Sequence, residues 1–203
     1  MKNPFGSISL DHPTRIALTM LVISLVCSAL IGITIILVGD FDETGLRVLA
    51  TAGSIAGFSI MSFPSLFHLE RNRYTYLTWM GTPSSLAFLV MIMITIWAVG
   101  DIPWEEEFLR IMGSAGVVAF ATNHALLVLM TIPTNILISI CRWVTNSVIA
   151  IVGFHILINI WTELETFNRL FAALIILDVL GTISVPILAR MSRHRMGYLK
   201  GAS

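Results

Sequence analysis

Asp178, His155 and Asn159 are of residue types that can hold and pass a proton, and all three fall inside apolar runs. Ionisable side chains are expensive in hydrocarbon, so those found within a membrane span are functional candidates by default. Asp178 stands nine residues after Arg169, about 13 Å along a helix, and His155 eight residues before Glu163, about 12 Å. Similar depth on consecutive helices predicts an Asp178–His155 pair, with Asn159 one turn from His155 on the same face. Two uses of such a pair are open: a buried hydrogen bond that fixes helix packing, or a proton-linked site.

Asn123 and His124 form a second polar pair within a span, about 20 Å from the face that carries Arg110. A bis-histidine haem would need His124 and His155 at one depth, and a difference of about 8 Å argues against it. No cofactor is predicted, although a lipid or quinone could occupy a groove between helices. The chain has no HExxH, Walker loop, GxGxxG or nucleophile–base pair, so no motif points to an enzyme. Cys27 and Cys141 make no CxxC and no disulfide framework, and no metal site is predicted.

The elements that must position these residues are membrane helices. Of 203 residues, 56% are hydrophobic and 12% charged, where a soluble domain carries roughly 25% charged. Mean hydropathy is +0.88. Apolar runs of about 20 residues cross a hydrocarbon core of about 30 Å. Spans are expected near 15–38, 46–67, 75–99, 109–132, 135–160 and 169–190, joined by loops too short for a soluble domain. The expected fold is therefore an all-α integral membrane protein, a single membrane domain over 1–203. Zero formal net charge gives no reason to expect nucleic acid.

Nine Lys and Arg fall on the side of both termini and the even loops, against Arg47, Arg110 and Arg169 on the other. By the positive-inside rule both termini are cytoplasmic, in a bacterial inner membrane.

A short charged phrase recurs: "ETGLR" at 43–47, "EEFLR" at 106–110 and "ETFNR" at 165–169. Each copy sits between an odd span and an even one, which predicts three repeated, parallel-oriented helical hairpins over about 13–70, 73–134 and 141–192. Glu43–Arg47, Glu106–Arg110 and Glu165–Arg169 are spaced for ion pairs in the first turn of each even helix. Gly53, Gly57, Gly113 and Gly116 are expected to let the even helices approach one another closely. Three parallel two-helix units resemble the mitochondrial carriers in plan. The proline and acidic-to-basic motif of that family is missing here, so no family is assigned.

The expected function is a non-catalytic accessory or scaffold subunit of a larger membrane assembly. Its partners would be the bilayer and other membrane subunits or a second copy. The alternative is a small proton- or cation-linked transporter or channel that uses Asp178 and His155.

Overall fold

The computed structural model describes residues 13–38, 42–98, 105–162 and 169–201. Among them are six α-helices: α1 Pro13–Val38, α2 Glu43–Glu70, α3 Thr75–Ala98, α4 Glu105–Leu129, α5 Ile136–Thr162 and α6 Arg169–Gly201. Helices α2 to α6 are each long and apolar enough to cross a membrane, and the described apolar stretch of α1 is Val22–Thr34. Large apolar side chains such as Leu30, Ile94, Phe154 and Ile176 face outward. In water that surface would be untenable; in lipid it is the ordinary exterior. The chain is a membrane-embedded helical protein.

Local chemistry sets the helix ends. Asp42 caps α2, its carboxylate accepting from the Gly45 N–H at 2.7 Å. Asn135 does the same for α5, accepting from the Ile138 N–H at 2.9 Å. Glu105, Glu106 and Glu107 fill the first turn of α4, where unpaired N–H groups favour negative charge. At the α2–α3 turn the Arg71 and Arg73 N–H groups both donate to the His68 carbonyl, at 3.2 and 3.0 Å. Asn72 and Tyr74 take left-handed φ values of 49° and 53° to close that turn.

Helices adjacent in sequence pack together, and in addition α2 touches α4 and α4 touches α6. Among the described residues α1 packs on α2 alone, so the order is open-ended, with α4 as the most enclosed span. The core, Val128, Ile149 and Val185, lies where α4, α5 and α6 meet.

Two of the expected ion pairs form. Arg47 bonds Glu43, and Arg110 bonds Glu106 at 2.8 Å, both with exposed carboxylates. Glu165 lies outside the described residues. One turn beyond each pair the pattern continues. Thr51 and Ser114 each donate to the carbonyl of the arginine before them, both at 2.8 Å. Each hydroxyl then accepts an indole N–H from the end of the following odd helix: Trp97 to Thr51 at 3.1 Å, Trp161 to Ser114 at 3.0 Å. The indole thus ties the last turn of α3 to α2, and of α5 to α4.

The expected role of the small residues needs correction. A Cβ built on Gly53 or Gly57 meets nothing within 4 Å, so neither glycine mediates a close helix approach. Gly113 and Gly116 do receive neighbours, but these are Ile160 of α5 and the Phe88 ring of α3, not another even helix. Size alone did not say which face of the helix is covered. The closest approaches fall instead at Gly181 of α6, where a Cβ would overlap Thr145 of α5, and at Gly81 of α3, where one would stand 2.5 Å from Ser65 Oγ and 3.4 Å from Asn123 Nδ2. Gly81→Ala should therefore destabilise the protein by about 1–3 kcal/mol. Gly53→Ala, which adds helix propensity in open space, should leave stability unchanged or raise it. Reversible unfolding in mixed micelles measures both.

Candidate functional site

Asn123 is the polar centre of the interior. It is 3% exposed, and its amide fastens three helices. Oδ1 accepts from Ser65 Oγ of α2 at 2.5 Å. Nδ2 donates to Ser85 Oγ of α3 at 2.9 Å and to the Ala119 carbonyl of its own helix at 2.8 Å. Ser85 Oγ donates in turn to the Gly81 carbonyl at 2.6 Å. Every donor of the carboxamide is used, which is what a dry site requires.

His68 lies beside this cluster and is 1% exposed. Its Nε2 meets the Leu126 carbonyl at 3.0 Å; a carbonyl only accepts, so the nitrogen that donates is Nε2. Phe67 and Tyr74 pack edge-on against the ring.

The residue after Asn123 faces the other way. His124 Nε2 meets Thr182 Oγ1 of α6 at 2.9 Å, and Thr182 bonds Asp178 Oδ1 at 3.3 Å. Asp178 Oδ2 stands 3.7 Å from His124 Nδ1, with side chains 14% and 16% exposed. The expected partner of Asp178 was His155, and this is corrected: Asp178 faces α4, while the His155 ring stacks on Phe171 at a centroid distance of 4.7 Å. Asn159 donates to the His155 carbonyl at 2.9 Å, one turn back on α5. The physical reason is axial offset. Measured from the arginine that opens each even helix, His124 is about 21 Å deep and Asp178 about 13 Å. Their contact means that α6 is shifted or inclined against α4 by most of that difference.

His124 also lines a groove of about 470 Å³ between α2 and α4, with Gly57, Met61, Pro64, Phe120 and Leu127. Gly57, open on that side, helps leave the space. A carboxylate, an imidazole and a hydroxyl in one triangle can share a proton. They can equally hold α6 on α4 by charge-assisted hydrogen bonding. Among the described residues no three of His, Cys, Asp and Glu converge as a metal site would require.

No protein-family model matches the chain, and no curated protein and no solved structure is significantly similar to it.

Pairwise reading of the sequence missed Ser65, Ser85, His68 and Thr182. A signal existed: Ser65 and Asn123, His68 and Leu126, and His124 and Thr182 are each 58 residues apart, close to the spacing of the charged phrases. A double-mutant cycle on Ser65→Ala and Asn123→Ala should give a coupling near 0.6 kcal/mol and at most about 2, the range for hydrogen bonds between membrane helices. Asn123→Ala alone should cost about 1–3 kcal/mol, because Ser65 and Ser85 lose a partner in a dry site. SDS-titration unfolding reports both.

Proposed function

We propose that this is a non-catalytic multi-pass protein of the inner membrane, an accessory or scaffold subunit that works by holding other membrane components. The observation that carries the reading is the position of Asp178. Its carboxylate turns into the α4–α6 seam, against Thr182 and His124, and is 14% exposed. A carboxylate that must load and unload a cation from water needs a wet path, and a packed seam is the opposite environment. The other intramembrane polar clusters, around Asn123 and His68, likewise join helices to each other. With polar groups spent on internal seams, the outward faces are left apolar and available to lipid or neighbouring spans.

In this reading the three hairpins are copies of one unit. Support comes from the Glu43–Arg47–Thr51 and Glu106–Arg110–Ser114 ladders, each closed by a tryptophan from the next odd helix.

A second reading is favoured by one observation: His124 touches both Asp178 and the groove of about 470 Å³. A proton-linked transporter would then use Asp178 with His124 rather than His155. Reconstitution separates the two. Proton or cation flux in proteoliposomes should be at background for wild type and for Asp178→Asn alike, while native extraction yields a complex heavier than one chain. Flux abolished by Asp178→Asn, or a chain that is monomeric and alone in native membranes, would overturn the scaffold reading.

A further inference from the structure

Along the seams described above, each buried polar side chain makes at least one hydrogen bond, although His68 Nδ1 and His124 Nδ1 make none. One face of α5 breaks that pattern. Arg142 is 9% exposed, and among the described residues no carboxylate pairs with it. Its Nη1 donates to the Thr131 carbonyl at the end of α4 at 3.2 Å, and its guanidinium stands 5.9 Å from the Trp143 ring centre. Its Nε is buried without a partner. Four residues on, and so on the same helix face, both amide atoms of Asn146 are buried and unpartnered as well. An enclosed cation with no counter-charge, and an enclosed amide with no partner, each carry an uncompensated desolvation cost. Two of them, one turn apart, mark a place where something outside the chain completes the structure.

The shape of the surroundings says what. Asn146 lines a cleft of about 280 Å³ between α4 and α5, whose walls include Trp143, Ala150, Gly153 and Leu157. At Gly153 a Cβ would stand 3.1 Å from the Ala121 Cβ, so the two helices close on each other there. The cleft is otherwise almost wholly apolar and runs from the Trp143 level toward the middle of the span. Polar demands therefore stack in order along this face of α5: a cation at the level of the α4–α5 turn, just beyond the cleft, an amide about 6 Å deeper at its wall, then hydrocarbon. The Arg142 side chain leans toward the start of α5 and reaches Thr131, which sets the guanidinium near headgroup depth.

We propose that this cleft binds one glycerophospholipid, with its phosphate on Arg142, an ester carbonyl on the Asn146 amide and an acyl chain along Ala150, Gly153 and Leu157. A guanidinium fork matches two phosphate oxygens and supplies the missing counter-charge. The Asn146 Nδ2 donates to an ester carbonyl, a group that lies just below the phosphate in such a lipid. A free anion would satisfy Arg142 and leave Asn146 and the cleft unused. A hydrocarbon or neutral lipid would do the reverse. Arg71 and Arg73, exposed on the adjoining α2–α3 turn, add positive potential that draws anionic headgroups to this face.

The test uses the full chain, delipidated in detergent and titrated with phosphatidylglycerol, diacylglycerol or inorganic phosphate. Bound lipid is counted by native mass spectrometry and stability by thermal unfolding. Wild type should take up one phosphatidylglycerol, at least tenfold more tightly than diacylglycerol, with no displacement by millimolar phosphate. Arg142→Met should weaken that binding at least tenfold, and Arg142→Lys by less. Asn146→Leu should weaken it severalfold while raising the unfolding temperature of the lipid-free protein, since it removes the orphaned amide. Ala150→Trp fills the cleft and leaves both polar groups in place, so it should abolish uptake even if Arg142→Met fails to fold. Equal uptake by wild type, Asn146→Leu and Ala150→Trp would overturn the proposal. So would displacement by phosphate, which means an anion site only, or a second copy of the chain occupying the cleft in place of lipid.

Discussion

The carboxamide of Asn123 is the constraint from which the rest of the packing follows. Hydrocarbon offers no water, so an amide in the middle of a span must meet all its partners within the protein. Ser65, Ser85 and the Ala119 carbonyl supply them, and doing so fixes the rotation and height of α2 and α3 against α4. A shift of either helix by one residue turns its serine by about 100° and strands the amide. Gly81 permits the arrangement, because any side chain there would occupy the space of the Ser65 hydroxyl. Since consecutive helical residues diverge by that same angle, fixing Asn123 toward α2 and α3 also turns His124 across the edge of the α2–α4 groove toward α6. It finds Thr182 and Asp178, and α6 is placed in turn.

What composition and periodicity could reveal was the individual helix. The expected third span, 75–99, and the observed α3, Thr75–Ala98, nearly coincide, because an apolar run flanked by polar turns has one economical structure in lipid. The first-turn pairs Glu43–Arg47 and Glu106–Arg110 were equally legible, since four-residue spacing on a helix is a local fact. Relations between helices were not. The depth of Asp178 was measured from Arg169 and that of His124 from Arg110, as though both arginines marked the same plane. Equal counts from the two do not give equal heights where α4 and α6 meet, and an error of a turn or two exchanged one histidine partner for another. Likewise Gly53 and Gly57 have the spacing of a packing motif, yet spacing cannot tell which face a neighbour covers. Ser65 and Ser85 gave no sign on their own. A serine in a span satisfies itself on its own backbone as readily as it bridges, as Ser84 does on the Met80 carbonyl.

The seams also differ from one another in a way that bears on the proposed repeat. Asp178 of the third hairpin corresponds to Ala56 and Ala119, both buried and apolar, in the first two. The α2–α4 seam is closed by serine and asparagine, the α4–α6 seam by histidine, threonine and aspartate. Identical hairpins with identical seams would pair in any order or with those of a second molecule. Different polar pairs at each junction penalise the wrong pairing, because a mismatched partner leaves a buried group unsatisfied. The ladders of Glu, Arg and Thr or Ser that open α2 and α4 are alike, and the unlike chemistry deeper in sets the two seams apart. Arg142 and Asn146 stand outside both sets. They belong to no ladder, and beyond the Arg142 bond to the Thr131 carbonyl they join no helices, so their unmet groups point to something beyond this chain, whereas the hydrogen bonds of Asn123 and His124 run within it.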